Sequence, residues 1–278
     1  MLLKTKYTTS HRTHLYPWIK LLSWQGRVSL QRKFVHSLKL ENQFAFVCGC
    51  GHSGTTLTAA KLGNHSKILL IGRESGIFLP FNSLSCAKNI INEWDFFATS
   101  IDCSVVVEKT PKHILTTRSI FRLIPDAKLL ITIRNPLDNI ASLYKRFRHL
   151  NACTDRWIAD NQAALRLSDN SNVMIVQYEK LTEEPGVSLR LAAKFLGIEW
   201  EEHIISAGRS AYETADVSGN MALRVAQVSK AIRPNNGGWT KTLRPDEARF
   251  VIDKTSSTAM HLGYDLESTL AQQQLSPA

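Results

Sequence analysis

The residues best suited to chemistry are the run Cys48-Gly49-Cys50-Gly51-His52-Ser53-Gly54-Thr55-Thr56. It follows the apolar stretch Phe44-Ala45-Phe46-Val47 and precedes Leu57-Thr58-Ala59-Ala60-Lys61-Leu62. A strand, a glycine-rich turn and a helix start therefore form one continuous unit. Such a turn aims backbone N–H groups and the positive end of a helix at one spot, which suits a phosphate or a sulfate. Gly49 and Gly54 have the spacing of the two glycines of a Walker A loop, but Thr55 stands where its lysine should be. A nucleoside triphosphatase uses that lysine on the β- and γ-phosphates. The loop is built for a phosphate, and not for hydrolysis of ATP or GTP.

Three further motifs each follow an apolar run. Gly72-Arg73-Glu74-Ser75-Gly76 follows Ile68-Leu69-Leu70-Ile71, and Glu108-Lys109-Thr110-Pro111-Lys112-His113 follows Val105-Val106-Val107. Arg134-Asn135-Pro136-Leu137-Asp138-Asn139-Ile140-Ala141-Ser142 follows Leu129-Leu130-Ile131-Thr132-Ile133. Asn135 and Pro136 read as the N-cap and first residue of a helix. Ser142 lies two turns into that helix. A guanidinium, a hydroxyl and a helix start together suit a dianionic phosphate, although an arginine at a helix start can also serve a structural ion pair. A triphosphatase would offer an Asp for Mg²⁺ at this strand end, where the chain has Arg134.

These motifs need a frame. Apolar runs of strand length at 44–48, 67–71, 105–108, 128–133 and 173–177 alternate with helical patterns at 55–64, 77–93, 112–123, 137–149 and 155–167. Several runs are continuously apolar, as expected of parallel strands covered on both faces. The alternation predicts an α/β class: a three-layer, P-loop-like fold with a mostly parallel central sheet and a helical C-terminal part. In such sheets ligands bind beyond the carboxyl ends of the strands, where all four motifs would lie. Helices are expected at 183–196 and 245–262, with a polar loop over 206–240 between them. One domain over 42–265 is expected, between a basic extension at 1–41 and a polar tail at 266–278.

The net charge of +10 is uneven. Residues 1–40 hold eight Lys and Arg and no acid, and the remainder holds 26 basic and 24 acidic residues. The basic character thus belongs to the extension, which could touch a membrane surface weakly. No run approaches the ~18 apolar residues of a membrane span. The five cysteines are odd in number and irregularly spaced, which argues against a disulfide framework and for a cytoplasmic chain. No RNP, zinc or helix-turn-helix pattern supports nucleic-acid binding.

Over about 42–265 the chain resembles sulfotransferases that use 3′-phosphoadenosine 5′-phosphosulfate, in the bacterial branch related to tyrosylprotein sulfotransferases. The resemblance implies that Gly51, His52, Ser53, Gly54, Thr55 and Thr56 hold the 5′-phosphosulfate, and that Arg134 and Ser142 hold the 3′-phosphate. It implies Glu74 as general base, Lys109 as the cation on the bridging oxygen, and Tyr178 near the adenosine. Gly238-Trp239 and the closing helix to Gly263-Tyr264 resemble the family's C-terminal segment. Two positions depart from the pattern. His52 stands where relatives commonly have arginine or lysine touching the transferring group. Gly238 stands where many have arginine, so 3′-phosphate binding is expected to lean on Arg233 or Lys230. The implied reaction is in-line transfer to an acceptor hydroxyl of a protein tyrosine, carbohydrate, lipid or small molecule, with no metal. The competing reading is a degenerate P-loop kinase or NTPase-like nucleotide-binding protein.

Overall fold

A computed structural model describes residues 36–205, 232 and 234–267. The basic extension to residue 35, most of the 206–240 segment and the tail from 268 lie outside the described residues.

The described chain opens with β1 (Gln43–Gly49), α1 (Thr55–Leu62), β2 (Ile68–Leu70), α2 (Leu84–Ser100) and β3 (Val105–Lys109). A 3-10 turn, Pro111–Leu115, leads to α3 (Thr117–Leu123), β4 (Lys128–Ile133), α4 (Pro136–Phe147), α5 (Leu150–Leu165) and β5 (Val173–Gln177). The helices α6 (Tyr178–Glu183) and α7 (Pro185–Phe195) follow, and α8 (Pro245–His261) closes the fold. The five strands form one sheet in the order β2-β3-β1-β4-β5 with every pairing parallel. All five expected strands are present.

The central strand β1 explains the order. Phe44 to Cys48 are at most 1% exposed, so the strand is covered on both faces. Ala45 and Val47 join Ala59, Leu62, Val105, Val107 and Leu130 in a core beneath α1 and α7. Parallel pairing needs crossovers, and here α1, α2 and α4 with α5 supply them. All the strand ends that carry motifs therefore open on the same edge of the sheet.

The helices differ from the expected ranges in four places, one of them α5, which starts at Leu150 where the pattern predicts 155. The pattern at 77–93 predicts a helix seven residues too early: α2 starts at Leu84, where Ser83 caps the Cys86 amide at 3.1 Å. Pro80 lies within the preceding turn, which the Asn82 side chain fastens to the Gly76 carbonyl at 2.8 Å. The 112–123 pattern breaks at Thr116, between the 3-10 turn and α3. Residues 178–183 form a short helix of their own, because Pro185 disfavours helical backbone at Glu184 and a second helix begins at the proline.

Candidate active site

The glycine loop is shaped by close approaches. Gly49 has φ 134°, and a Cβ there would stand 2.2 Å from the Thr132 carbonyl oxygen of β4. His52 and Gly54 take left-handed backbone, φ 68° and 99°. That conformation costs about 1 kcal/mol for a residue with a Cβ, so His52 is strained and Gly54 is not. Ser53 is fully buried; its hydroxyl reaches the Cys50 carbonyl at 2.6 Å and Thr132 Oγ1 at 2.7 Å, and its N–H donates to Cys50 as well. Ser53 thus shapes the loop from inside. Asn139 Nδ2 of α4 donates to the Gly51 carbonyl at 2.8 Å and holds the loop from the other side. Gly54 gives α1 no side-chain cap, which leaves N–H groups of the first turn, with Thr55 and Thr56, for a ligand.

Arg134 stands just beyond β4, in a corner built by both flanking helices. The Asn135 side chain caps Leu137 N–H at 3.0 Å with Pro136 at the first helical position, as the sequence predicts. The guanidinium is 6% exposed and lies 4.2 Å above the Tyr178 ring, whose edge packs on Gly54. Its Nη2 donates to the Asn235 carbonyl at 2.6 Å and its Nη1 to the His52 carbonyl at 3.3 Å, while the buried Nε has no hydrogen-bond partner. Asp138 accepts from the Gly237 and Trp239 amides at 2.8 and 3.0 Å, which fastens the segment carrying Asn235 over α4. His52 Nδ1 lies 2.8 Å from Ser142 Oγ. The resemblance assigns these two residues to different phosphates; the fold joins them. Lys230 and Arg233 lie outside the described residues.

Glu74 and Lys109 meet at the ends of β2 and β3. Lys109 Nζ donates to Glu74 Oε1 at 2.7 Å; the lysine side chain is 1% exposed and the glutamate 36%. A buried network positions this pair. Glu108 Oε1 accepts from the amide and hydroxyl of Ser75 at 3.0 and 2.8 Å and from Thr110 Oγ1 at 2.6 Å. The Gly76 amide donates to Thr110 Oγ1 at 3.1 Å, and Phe78 packs edge-on against Phe46 and His113. Glu108 Oε2 lies 3.0 Å from His113 Nδ1. Burial alone would push the Glu108 carboxyl up, but His113 and the hydroxyl donors outweigh it and hold it low. Glu108 and His113 are fully buried scaffold, out of reach of an acceptor.

Two charged residues that the motifs do not contain, Arg156 and Asp160, join the site beside Lys112 of the Glu108–His113 motif. Arg156 of α5 lies on the loop: a Cβ at Gly51 would stand 2.7 Å from its Nη2. Its Nε donates to Asp160 at 3.4 Å, one turn further along the helix. Asp160 is buried behind Cys50, and burial pushes its carboxyl up to about 6 against the pull of Arg156. The exposed Lys112 is held low by partial burial and by the Arg156 guanidinium, against the Asp160 and Glu74 carboxylates. Only the four-residue spacing of Arg156 and Asp160 hints at such a pair in the sequence. Cys48 and Cys50 are free, buried thiols that burial pushes up, as expected for small core residues. No helix among the described residues is long and apolar enough to cross a membrane.

Residues 85–202 match the model of the Sulfotransferase family. That range holds Lys109, Arg134 and Ser142 but begins after the glycine loop and Glu74. No curated protein matches the chain in sequence. The fold is similar to the sulfotransferase domain from the curacin biosynthetic pathway, with 16% identity over 82% of this chain and 99% of that one, at a TM-score of 0.53. It is similar as well to the sulfotransferase domain of the Synechococcus PCC 7002 olefin synthase, with 18% identity over 84% and 99% and a TM-score of 0.52. Mouse sulfotransferase SULT7A1, solved in complex with PAP, matches at 14% identity over 81% and 86%, with a TM-score of 0.52. The family match covers less than half of the chain, and the solved structures show that the fold is like that of sulfotransferases.

Proposed function

We propose that the chain transfers a sulfuryl group from 3′-phosphoadenosine 5′-phosphosulfate to an acceptor hydroxyl, with Glu74 as general base. The observation that carries this reading is the Glu74–Lys109 pair, 2.7 Å apart, at the strand edge that also bears the glycine loop. The residues present fit the cosubstrate. Gly51 and Gly54 leave the loop backbone uncovered by side chains of its own, and the first turn of α1 has free N–H groups. Arg134 Nε is a buried donor without an acceptor. Gly51–Gly54, Thr55 and Thr56 would hold the 5′-phosphosulfate, Ser53 through the shape it gives the loop. Arg134 and Ser142 would hold the 3′-phosphate beside Tyr178. A phosphate oxygen would replace the Asn235 carbonyl on Arg134, because an ionised acceptor makes the stronger bond, about 1.5–3 kcal/mol against about 1.

The bound cosubstrate supplies an activated sulfur, whose bond to the bridging oxygen breaks, with its electron pair staying on the 5′-phosphate, as the acceptor oxygen bonds to sulfur. Glu74, a third exposed, takes the acceptor's proton. That proton cancels the carboxylate charge holding Lys109. The ammonium is then released to the leaving phosphate at the moment charge develops there, which is the condition for stabilising a transition state over a ground state.

Calorimetry with 3′-phosphoadenosine 5′-phosphate, AMP and ATP tests the reading. The bisphosphate should bind far more tightly than the others, and Arg134→Ala should lose about tenfold to hundredfold, the size of one charged hydrogen bond. Equal affinity for AMP and the bisphosphate would remove the assignment.

A further inference from the structure

The glycine loop carries one basic side chain of its own, His52, and its Nδ1 is engaged with Ser142 Oγ of α4. On the other flank a cation from a different element occupies the loop. Arg156 Nη2 lies where a Cβ at Gly51 would collide with it, so the missing side chain at position 51 is what admits the guanidinium to the backbone. The side chain is 28% exposed, and its carboxylate partner Asp160, at 3.4 Å from Nε, is 3% exposed. Asp160 thus tethers the Nε side from behind and leaves the Nη end toward the loop. The same guanidinium acts electrostatically on Lys112, which also feels Glu74, so Arg156 belongs to the charge field of the proposed reacting centre.

We propose that Arg156 is a further cation of the transfer site, binding the sulfuryl group on the Gly51 side of the loop, and that Asp160 is the residue that positions it. This rests on the sulfotransferase reading. As sulfur passes from the bridging oxygen to the acceptor oxygen, the electron pair stays on the 5′-phosphate and the acceptor proton goes to Glu74. The sulfuryl oxygens keep their negative charge throughout. A planar fork of donors suits such a group better than a point charge does. Gly51 is therefore small for two reasons: to expose its backbone and to seat an arginine from α5.

The test compares binding of the phosphosulfate and of the bisphosphate, which differ only in the sulfuryl group, without acceptor. In the unmodified chain the phosphosulfate should bind more tightly. Arg156→Gln should keep bisphosphate affinity within about threefold and lose about tenfold or more for the phosphosulfate, with a matching fall in turnover. Arg156→Lys should recover part of that loss. Asp160→Asn, which loosens the tether but leaves the guanidinium, should lose part of the preference, less than Arg156→Gln does. An Arg156→Gln chain with the normal preference would overturn the proposal. So would equal losses for both nucleotides, since that result makes Arg156 a structural partner only, and an Asp160→Asn chain with the full normal preference would remove Asp160 as the positioning residue. If the unmodified chain binds neither nucleotide, the function itself fails, and Arg156 with it.

Discussion

At the scale of single residues the site turns on one buried ammonium. Burying such a charge is costly unless an anion pairs with it, and Lys109 has Glu74 at 2.7 Å. In the proposed reaction the pair has two jobs that mutation can separate. Glu74→Gln keeps the shape and a hydrogen-bond acceptor but cannot take a proton. It should leave bisphosphate affinity unchanged and cut turnover by about 10²–10⁴-fold, the usual size of a general-base contribution. Lys109→Met removes the charge and keeps the bulk. It should also lower turnover more than affinity, because its contact strengthens as the leaving group departs. A Glu74→Gln enzyme of normal turnover would move the base elsewhere. His113 cannot take that place, because it is buried against Phe46 and Phe78. His52, half-buried on the loop, is the remaining histidine of the site.

At the scale of elements, α5 is tuned by a carboxyl that its surroundings disfavour. Burial raises Asp160 from the ordinary 3.8 to about 6. A group raised on folding contributes stability that is fully present below its unfolded value and is lost as the pH rises through its folded value. The contribution of Asp160 is therefore whole below about pH 4 and gone above about pH 6–7. Asp160→Asn does not ionise and should keep it. Relative to the unmodified chain, the variant should gain on the order of 1–3 kcal/mol between about pH 4 and pH 7.5. Urea unfolding of both chains across that range checks the sign, and parallel curves would contradict it. The same helix marks where the sequence stops being legible. Continuous apolar runs such as Phe44–Val47 announce parallel strands because both of their faces are buried, and glycine spacing announces the loop because its backbone angles demand it. Those signals are local. Arg156 reaches Gly51 from about a hundred positions away, and nothing near either residue encodes the meeting. The contact of His52 with Ser142 and the Asn235 carbonyl on Arg134 are invisible for the same reason. The start of α2 is not legible either, because periodicity continues through 77–83, whereas Ser83 and Pro80 decide the boundary.

At the scale of the whole molecule, five parallel strands bring their carboxyl ends to one edge, and the cations arrive there from separate elements. Lys109 ends β3, Arg134 follows β4, Lys112 sits on the 3-10 turn and Arg156 on α5. The chain beyond residue 40 is nearly neutral, with 26 basic and 24 acidic residues, so this concentration is local and is not a general basicity. A P-loop triphosphatase neutralises its phosphates with one loop lysine and a divalent ion held by a carboxylate. Here Thr55 replaces the lysine, and Arg134 stands where the carboxylate would be. A guanidinium at that position repels a divalent cation and attracts the phosphate directly. In the proposed reaction, fixed cations and the N-terminus of α1 would do the work that a metal does elsewhere. Transfer should accordingly survive EDTA within about twofold, and added Mg²⁺ should not raise it further. Nucleotide binding should instead weaken as salt is added, since partly exposed cations are screened over about 8–10 Å at ordinary ionic strength. Transfer abolished by EDTA and restored by Mg²⁺ would mean that Arg134 does not do what its position implies, and would return the chain to the kinase-like alternative.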